Sequence, residues 1–234
     1  MNIVVLDGGT LNPGDISWSC IDKLGKLTIY NQTNKEDIVS RSKDADILIV
    51  NKVVINAPII DKLPHLKYIA VSATGYNNID IAYCKQKAIL VSHVKNYGSS
   101  NVAQHVFALI LALTNRVQQH HTYIKEGIWA KKNAFSFWDA PMVELAHKTI
   151  GIIGWGNIGK KVGKIAAGFE MDVIYFSSSN QTSDFAEAVT FNELLNRSDF
   201  ISINTHLTPE NKKMVNESFL AKMKSSAFLI NTSR

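Results

Sequence analysis

Short apolar runs recur at residues 3–6, 27–30, 47–50, 68–71 and 89–91, separated by polar stretches each long enough for one helix. Runs of this length and spacing predict parallel strands, because a crossover helix must carry the chain back before the next strand can pair in the same direction. A sheet built this way is expected to be covered on both faces. The pattern turns polar at Tyr97, Gly98, Ser99, Ser100 and Asn101, which reads as a hinge dividing the chain into domains 1–97 and 98–234. A helix is predicted over 102–118, capped by Ser99, Ser100 or Asn101. Its middle, residues 106–113, is apolar on nearly every face and is expected to be buried. From residue 149 the alternation resumes, with strands near 150–153, 173–176, 200–203 and 228–231 and helices after Gly156, around 191–196 and around 217–224.

One turn in this second series carries chemistry. The apolar run that starts at Thr149 leads into Gly154, Trp155, Gly156, Asn157, Ile158 and Gly159, a G-x-G-x-x-G between a strand and a helix. The first glycine permits a sharp turn, the second lets backbone N–H groups approach a pyrophosphate, and the third lets helix and strand pack closely. A glycine-rich turn without a ligand is the plainer alternative. The fold class is therefore α/β, with two parallel-sheet domains of Rossmann-like or flavodoxin-like form. In the strand order 3-2-1-4, the first and fourth strands of the second domain are neighbours, so Arg234, just after the fourth, is expected beside the glycine turn. Its guanidinium offers planar bidentate donors suited to a carboxylate. Ligands in such sheets bind outside the carboxyl ends of the strands, which singles out the loops 7–10, 51–52 and 72–78.

Composition narrows the partners. A net charge of +5 without a basic cluster interleaved with aromatics argues against nucleic acid. Cys20 and Cys84 form neither a C-x-x-C pair nor a disulfide framework, the start of the chain lacks a basic leader, and the longest apolar run is too short to span a bilayer. A cytoplasmic protein without membrane partners is expected, and no metal site is assigned. His105 reads as a hydrogen-bonded structural histidine, and His120 and His121 as a solvated helix end. Trp129, Phe135, Phe137 and Trp138 lie in a loop-like segment, 127–141, that suits a core, an oligomer contact or a lid.

These pieces resemble the D-isomer-specific 2-hydroxyacid dehydrogenases, most closely their glycerate dehydrogenase (hydroxypyruvate reductase) branch. The resemblance runs through residues 6–15, 73–80, 102–106, 137–139, 144–146, 154–159, 207–211 and 228–234. It implies an enzyme moving hydride between NAD, with NADP left open, and a small 2-keto or 2-hydroxy acid: hydroxypyruvate/D-glycerate or glyoxylate. Domain 1–97 would bind substrate and domain 98–234 the cofactor. Arg234 matches the catalytic arginine that grips the substrate carboxylate and carbonyl. Thr74 and Gly75 match the carboxylate loop, and Asn51 and Lys52 lie at a neighbouring substrate loop. Gly154 to Gly159 match the pyrophosphate turn, Ser177 the ribose position, Thr205 and His206 the loop beside the ribose, and Asn231, Thr232 and Ser233 the strand end near the nicotinamide. The resemblance also implies a homodimer, in which Trp138 is the candidate tryptophan lent to the other subunit's pocket.

Departures from the family pattern shape the expectations. Ser177, Ser178, Ser179 and Asn180 stand where an acidic residue usually takes the ribose hydroxyls, and no Lys or Arg follows until Arg197, so cofactor choice stays open. His206 replaces a proline. The family's glutamate and histidine lie downstream of the arginine, whereas this chain ends at Arg234; a truncated dehydrogenase with an incomplete cofactor domain and impaired turnover is expected. A corepressor-like, NAD(H)-sensing dimer is the non-enzymatic alternative.

Overall fold

The computed structural model describes residues 1–132, 134–179 and 181–233. They form two compact units, Met1–Tyr97 and Gly98–Arg234.

In the first unit, strands β1 (Asn2–Val5), β2 (Lys26–Ile29), β3 (Ile47–Val50), β4 (Tyr68–Val71) and β5 (Leu90–His93) form one parallel sheet in the order β2-β1-β3-β4-β5. Helices α1 (Ser19–Asp22), α2 (Ile38–Ser42), α3 (Ala57–Ile60) and α4 (Ile81–Gln86) connect them. Leu48, Val50, Ile69 and Val71 are sealed against Ile38, Ile60, Leu63 and Cys84. Their strand neighbours Ile47, Ile49, Tyr68 and Ala70 are only half-buried, so the second face is less covered among the described residues than the sequence reading expects.

The second unit opens on α5 (Ser99–Asn115), α6 (Val117–Lys125) and α7 (Ile128–Lys131). Its sheet holds β6 (Thr149–Ile153), β7 (Asp172–Phe176), β8 (Glu187–Ala188), β9 (Phe200–Ile203) and β10 (Phe228–Asn231), all parallel, in the order β10-β9-β6-β7-β8. Helices α8 (Asn157–Gly168), α9 (Phe191–Arg197) and α10 (Glu217–Ala221) fill the crossovers. Here both faces are closed. Ala103, Val106, Phe107 and Ile110 of α5 join Val162 and Ala166 of α8 over Ile150, Ile152 and Phe200, while Leu194, Leu195 and Phe219 cover Ile174, Ile201 and Ile203. Burying a side chain the size of Phe200 contributes roughly 1.5–3 kcal/mol, and β9 is buried at all its positions, Ser202 included.

Three expectations are corrected. The long helix starts at Ser99, inside the expected cap, with Gly98 as its uncapped leading residue, and it breaks at Arg116, whose φ is +50°. It is amphipathic rather than fully buried: Leu109 and Leu113 are exposed, because only one stripe meets α8 and the sheet. The segment 127–141 contains α7. Third, the sheet has a further strand, β8, only two residues long and exposed, which no apolar run announces. With β8 as the third strand the order is 3-2-1-4-5, so the neighbour of the glycine-turn strand β6 is β9 and not β10, and the expectation that the strand leading to Arg234 lies directly beside that turn is not met.

The two sheets share a device at their lower edges. Asp46 accepts the Asn2 amide at 2.8 Å and pairs with Lys67 at 3.0 Å. Asp199 accepts the Thr149 amide at 2.9 Å and pairs with Lys224 at 2.9 Å. Burial pushes the Asp199 carboxyl up, but the Lys224 ammonium, the Thr149 amide and the charge of Lys148 outweigh it and hold the group below its ordinary value. A carboxyl depressed by folding stabilises fully above its unfolded pKa of about 3.9 and loses that stabilisation as pH falls through the folded value. Asp199→Asn should cost about 1–2 kcal/mol at neutral pH. In thermal unfolding, the gap to the parent protein should close below about pH 4; a gap constant down to acid pH would contradict this.

Candidate active site

β6 runs into α8 through Gly154, Trp155 and Gly156. Gly154 has φ +98°, and a Cβ there would lie 2.7 Å from the Asn204 carbonyl oxygen, held close because the Asn204 amide donates to Ile153 O at 2.8 Å. Gly159 is equally constrained, since its Cβ would stand 2.1 Å from Gly154 O. Gly156 differs: it leads α8 in extended backbone, no side chain caps the helix, and an added Cβ would meet nothing within 4 Å. The result is an open cradle before a helix N-terminus, where first-turn amides and the helix dipole favour an anion. Asn157 is exposed at the helix start and Ile158 is half-buried against the core. Trp155 is 2% exposed and stacks on Tyr175 at 4.3 Å, so its backbone, not its ring, is available to a ligand.

The exits of the other strands border this turn's sheet. After β7, Ser177 Oγ lies 3.0 Å from Ser179 Oγ and accepts the Ser179 amide at 3.3 Å. Tyr175 donates its hydroxyl to Gln181 O at 2.5 Å, and Lys160 Nζ donates to Gln181 Oε1 at 2.6 Å. The absence of a cation before Arg197 therefore holds only along the sequence. In space α8 brings Lys160 to this loop, whereas Arg197 is committed to Glu187 at 2.9 and 2.6 Å. After β9, Asn211 organises the loop holding Thr205 and His206 by donating to His206 O at 2.6 Å and accepting the Thr208 amide at 2.7 Å.

After β10, Ser233 donates its hydroxyl to Ile203 O at 3.0 Å and its amide to Asn231 Oδ1 at 3.0 Å. A cavity of about 440 Å³ is lined by this segment, including Thr232, and by Asn101, Val102, His105 and Leu109 of α5. Thr232 Oγ1 is buried with no hydrogen-bond partner among the described residues. Such an atom costs about 1–3 kcal/mol until something pairs with it, which favours a ligand bearing an amide or hydroxyl. The structural role expected for His105 is overturned: it is exposed on this cavity without a hydrogen-bond partner among the described residues, because α5 turns its polar edge this way. Arg234 lies outside the described residues.

In the first unit, Asn51 and Lys52 follow β3, and Thr74 and Gly75 follow its neighbour β4. Asp7, 4% exposed, accepts the amides of Asn51 (2.8 and 3.0 Å), Lys52 (2.5 Å) and Val53 (3.2 Å). Asn51 Nδ2 donates to Thr10 Oγ1 at 3.0 Å, and the Lys52 side chain is exposed. Thr74 Oγ1 donates to Val94 O at 3.0 Å, its carbonyl meets His93 Nδ1 at 2.9 Å, and Tyr76 lies edge-on to His93. Gly75 is exposed. Sequence reasoning singled out the loops that hold Asp7 and Asn78 without giving either residue a role, and it passed over His93; the partners of all three are distant in the chain.

The aromatic segment is no core. Phe135 is 98% exposed and Trp138 69%, while Phe137 is flanked by His120, Tyr123 and Trp129 at about 6 Å. Tyr123 donates to Asp139, the carboxylate next to Trp138, at 2.5 Å.

The second unit fits an extended dinucleotide: a cradle that a Cβ at Gly156 would fill, hydroxyls after β7, and an unpaired buried hydroxyl after β10. Comparison with known proteins agrees. The model of the D-isomer specific 2-hydroxyacid dehydrogenase NAD binding domain matches residues 107–234. A hydroxypyruvate reductase of Blautia hydrogenotrophica is 38% identical over all of this chain, which covers 74% of that protein. An acyclic imino acid reductase solved with NADPH and D-Arg superposes with a TM-score of 0.84 at 31% identity, over 100% of this chain and 75% of its own. The D-lactate dehydrogenase of Aquifex aeolicus, solved with NAD and lactic acid, gives 0.81 at 29% identity, over 100% and 69%. The chain thus belongs to the D-isomer-specific 2-hydroxyacid dehydrogenases and is, by family, an NAD(P)-dependent oxidoreductase.

Proposed function

We propose that the protein interconverts hydroxypyruvate and D-glycerate, or reduces glyoxylate, with residues 1–97 taking the acid and residues 98–234 the dinucleotide. The observation that carries this reading is the anion cradle at Gly156, in a chain 38% identical along its whole length to a hydroxypyruvate reductase. Backbone groups of Gly154, Trp155, Gly156, Asn157, Ile158 and Gly159 hold the pyrophosphate. Ser177, Thr205 and His206 serve the adenosine side, and Asn231, Thr232 and Ser233 the nicotinamide side. When bound, the cofactor supplies or takes the hydride at C2 of the acid.

The protein's own groups do the rest. Amides at Thr74 and Gly75 hold the substrate carboxylate, with Asn51 and Lys52 beside them. Arg234 grips carboxylate and carbonyl with fixed bidentate donors and stabilises the charge that grows on oxygen as C2 is reduced. Lys160, together with the absence of a carboxylate at Ser177, supports use of NADPH alongside NADH. The exposed rings of Phe135 and Trp138 support a homodimer in which Trp138 is offered to the second copy; sedimentation should show twice the chain mass, and a monomer at assay concentration would exclude it. Two free, widely separated cysteines support residence in the reducing cytoplasm.

The test is turnover of hydroxypyruvate, glyoxylate and pyruvate with each cofactor. Hydroxypyruvate should exceed pyruvate in kcat/KM by roughly tenfold or more, since groups that hydrogen-bond its C3 hydroxyl are left unpaired by the methyl group of pyruvate. Binding of NADH without turnover of any 2-keto acid would overturn the proposal.

A further inference from the structure

The Asp7 carboxylate is buried and touches neither a cation nor another acid among the described residues; its hydrogen-bond partners there are the successive amides of Asn51, Lys52 and Val53. The same turn is held from its other side. Asn78 Nδ2 donates to Val53 O at 2.8 Å and lies 3.5 Å from Asn51 O, while its own carbonyl accepts the Ile55 amide at 2.9 Å. Asp7 therefore takes the N–H groups of the loop after β3, and Asn78, in the loop after β4, takes its carbonyls.

A loop loses about 1–2 kcal/mol of backbone freedom for each residue it fixes, and several amides donating to one carboxyl group offset part of that cost. We propose that Asp7 and Asn78 are positioning residues that clamp the turn 51–53 from opposite sides, so that Asn51 and Lys52 are presented to a 2-keto acid in one fixed geometry. The inference rests on the reading above that this loop meets the substrate. Asp7 itself does not touch the acid: its oxygens are occupied by amides, and a carboxylate facing the substrate would repel it.

Asp7→Asn replaces one acceptor oxygen with an NH₂ group pointed at amide donors, and Asn78→Ala removes the opposing donor without touching Asp7. Misplacing a binding group by about 1 Å can cost as much as 10²-fold. Each variant should raise KM for hydroxypyruvate about tenfold or more, leaving kcat at saturation and the Kd for NADH within about twofold, because the dinucleotide is held in the other unit. Lys52→Ala is measured beside them. If Lys52→Ala raises KM while folded Asp7→Asn and Asn78→Ala leave it unchanged, the clamp is wrong and the substrate loop stands. If Lys52→Ala has no effect, the placing of the acid falls and the clamp with it. Equal losses in KM and NADH affinity would mean a general loss of structure and also overturn the positioning role; should Asp7→Asn fail to fold by circular dichroism, Asn78→Ala alone decides.

Discussion

Gly156→Ala should fold and fail to hold the cofactor. Its Cβ meets nothing within 4 Å, so the protein without ligand has room for a methyl group, and only the preference for glycine over alanine at a helix lead is lost. That preference is worth about 0.5–1 kcal/mol, a shift of roughly 2–4 °C in the unfolding midpoint for a unit of this size. The methyl group fills the space in which backbone amides approach a pyrophosphate, and each hydrogen bond to a charged group contributes about 1.5–3 kcal/mol. Losing one or two should weaken NADH binding by roughly 30-fold or more. Gly159→Ala is the contrasting case: its Cβ would stand 2.1 Å from Gly154 O, so the turn itself must shift and the unfolding midpoint should drop further. Calorimetric titration with NADH, with a melting curve for each variant, checks both. Retained affinity in a folded Gly156→Ala protein would remove the pyrophosphate from this turn.

Arg234 should dominate catalysis. Truncating one partner of a desolvated charge pair costs about 2–5 kcal/mol, so Arg234→Ala should lower kcat/KM by roughly 30- to 5,000-fold. Arg234→Lys keeps the charge but loses the planar fork, and should recover little of that loss. NADH affinity should be nearly unchanged in both. A variant losing NADH binding while keeping its KM for the acid would assign the arginine to the cofactor instead.

The α/β class and, among the described residues, the nine longer strands were legible because parallel strands of this kind show as short apolar runs, residues 47–50 being the clearest case. β8 was not legible: Glu187 and Ala188 are exposed, and they pair with β7 only because the backbone passes alongside it. The start of α5 was misplaced because serine and asparagine favour caps in general, whereas here Gly98 leads the helix and Ser99 is buried inside it. The glycine turn was readable because its spacing answers local steric demands, at Gly154 and Gly159, within a few residues.

What lay beyond the sequence was the polar wiring. Asp7 finds its amides 44 to 46 residues away, and Lys160 reaches Gln181 across 21. Neither pairing leaves a periodic trace, since one side chain meeting a distant backbone has no repeat to reveal it. His105 was misjudged for a related reason: an apolar helix suggested burial, and only the packing of α5 decides which edge faces the cavity beside Thr232.

The most direct test follows the transferred atom. With hydroxypyruvate and a reduced nicotinamide cofactor carrying deuterium at both C4 positions of its ring, the account predicts deuterium at C2 of a glycerate of D configuration, and loss of that transfer in folded Gly156→Ala at cofactor concentrations that saturate the parent protein. Deuterium absent from C2, an L product, or undiminished transfer in the variant would contradict it.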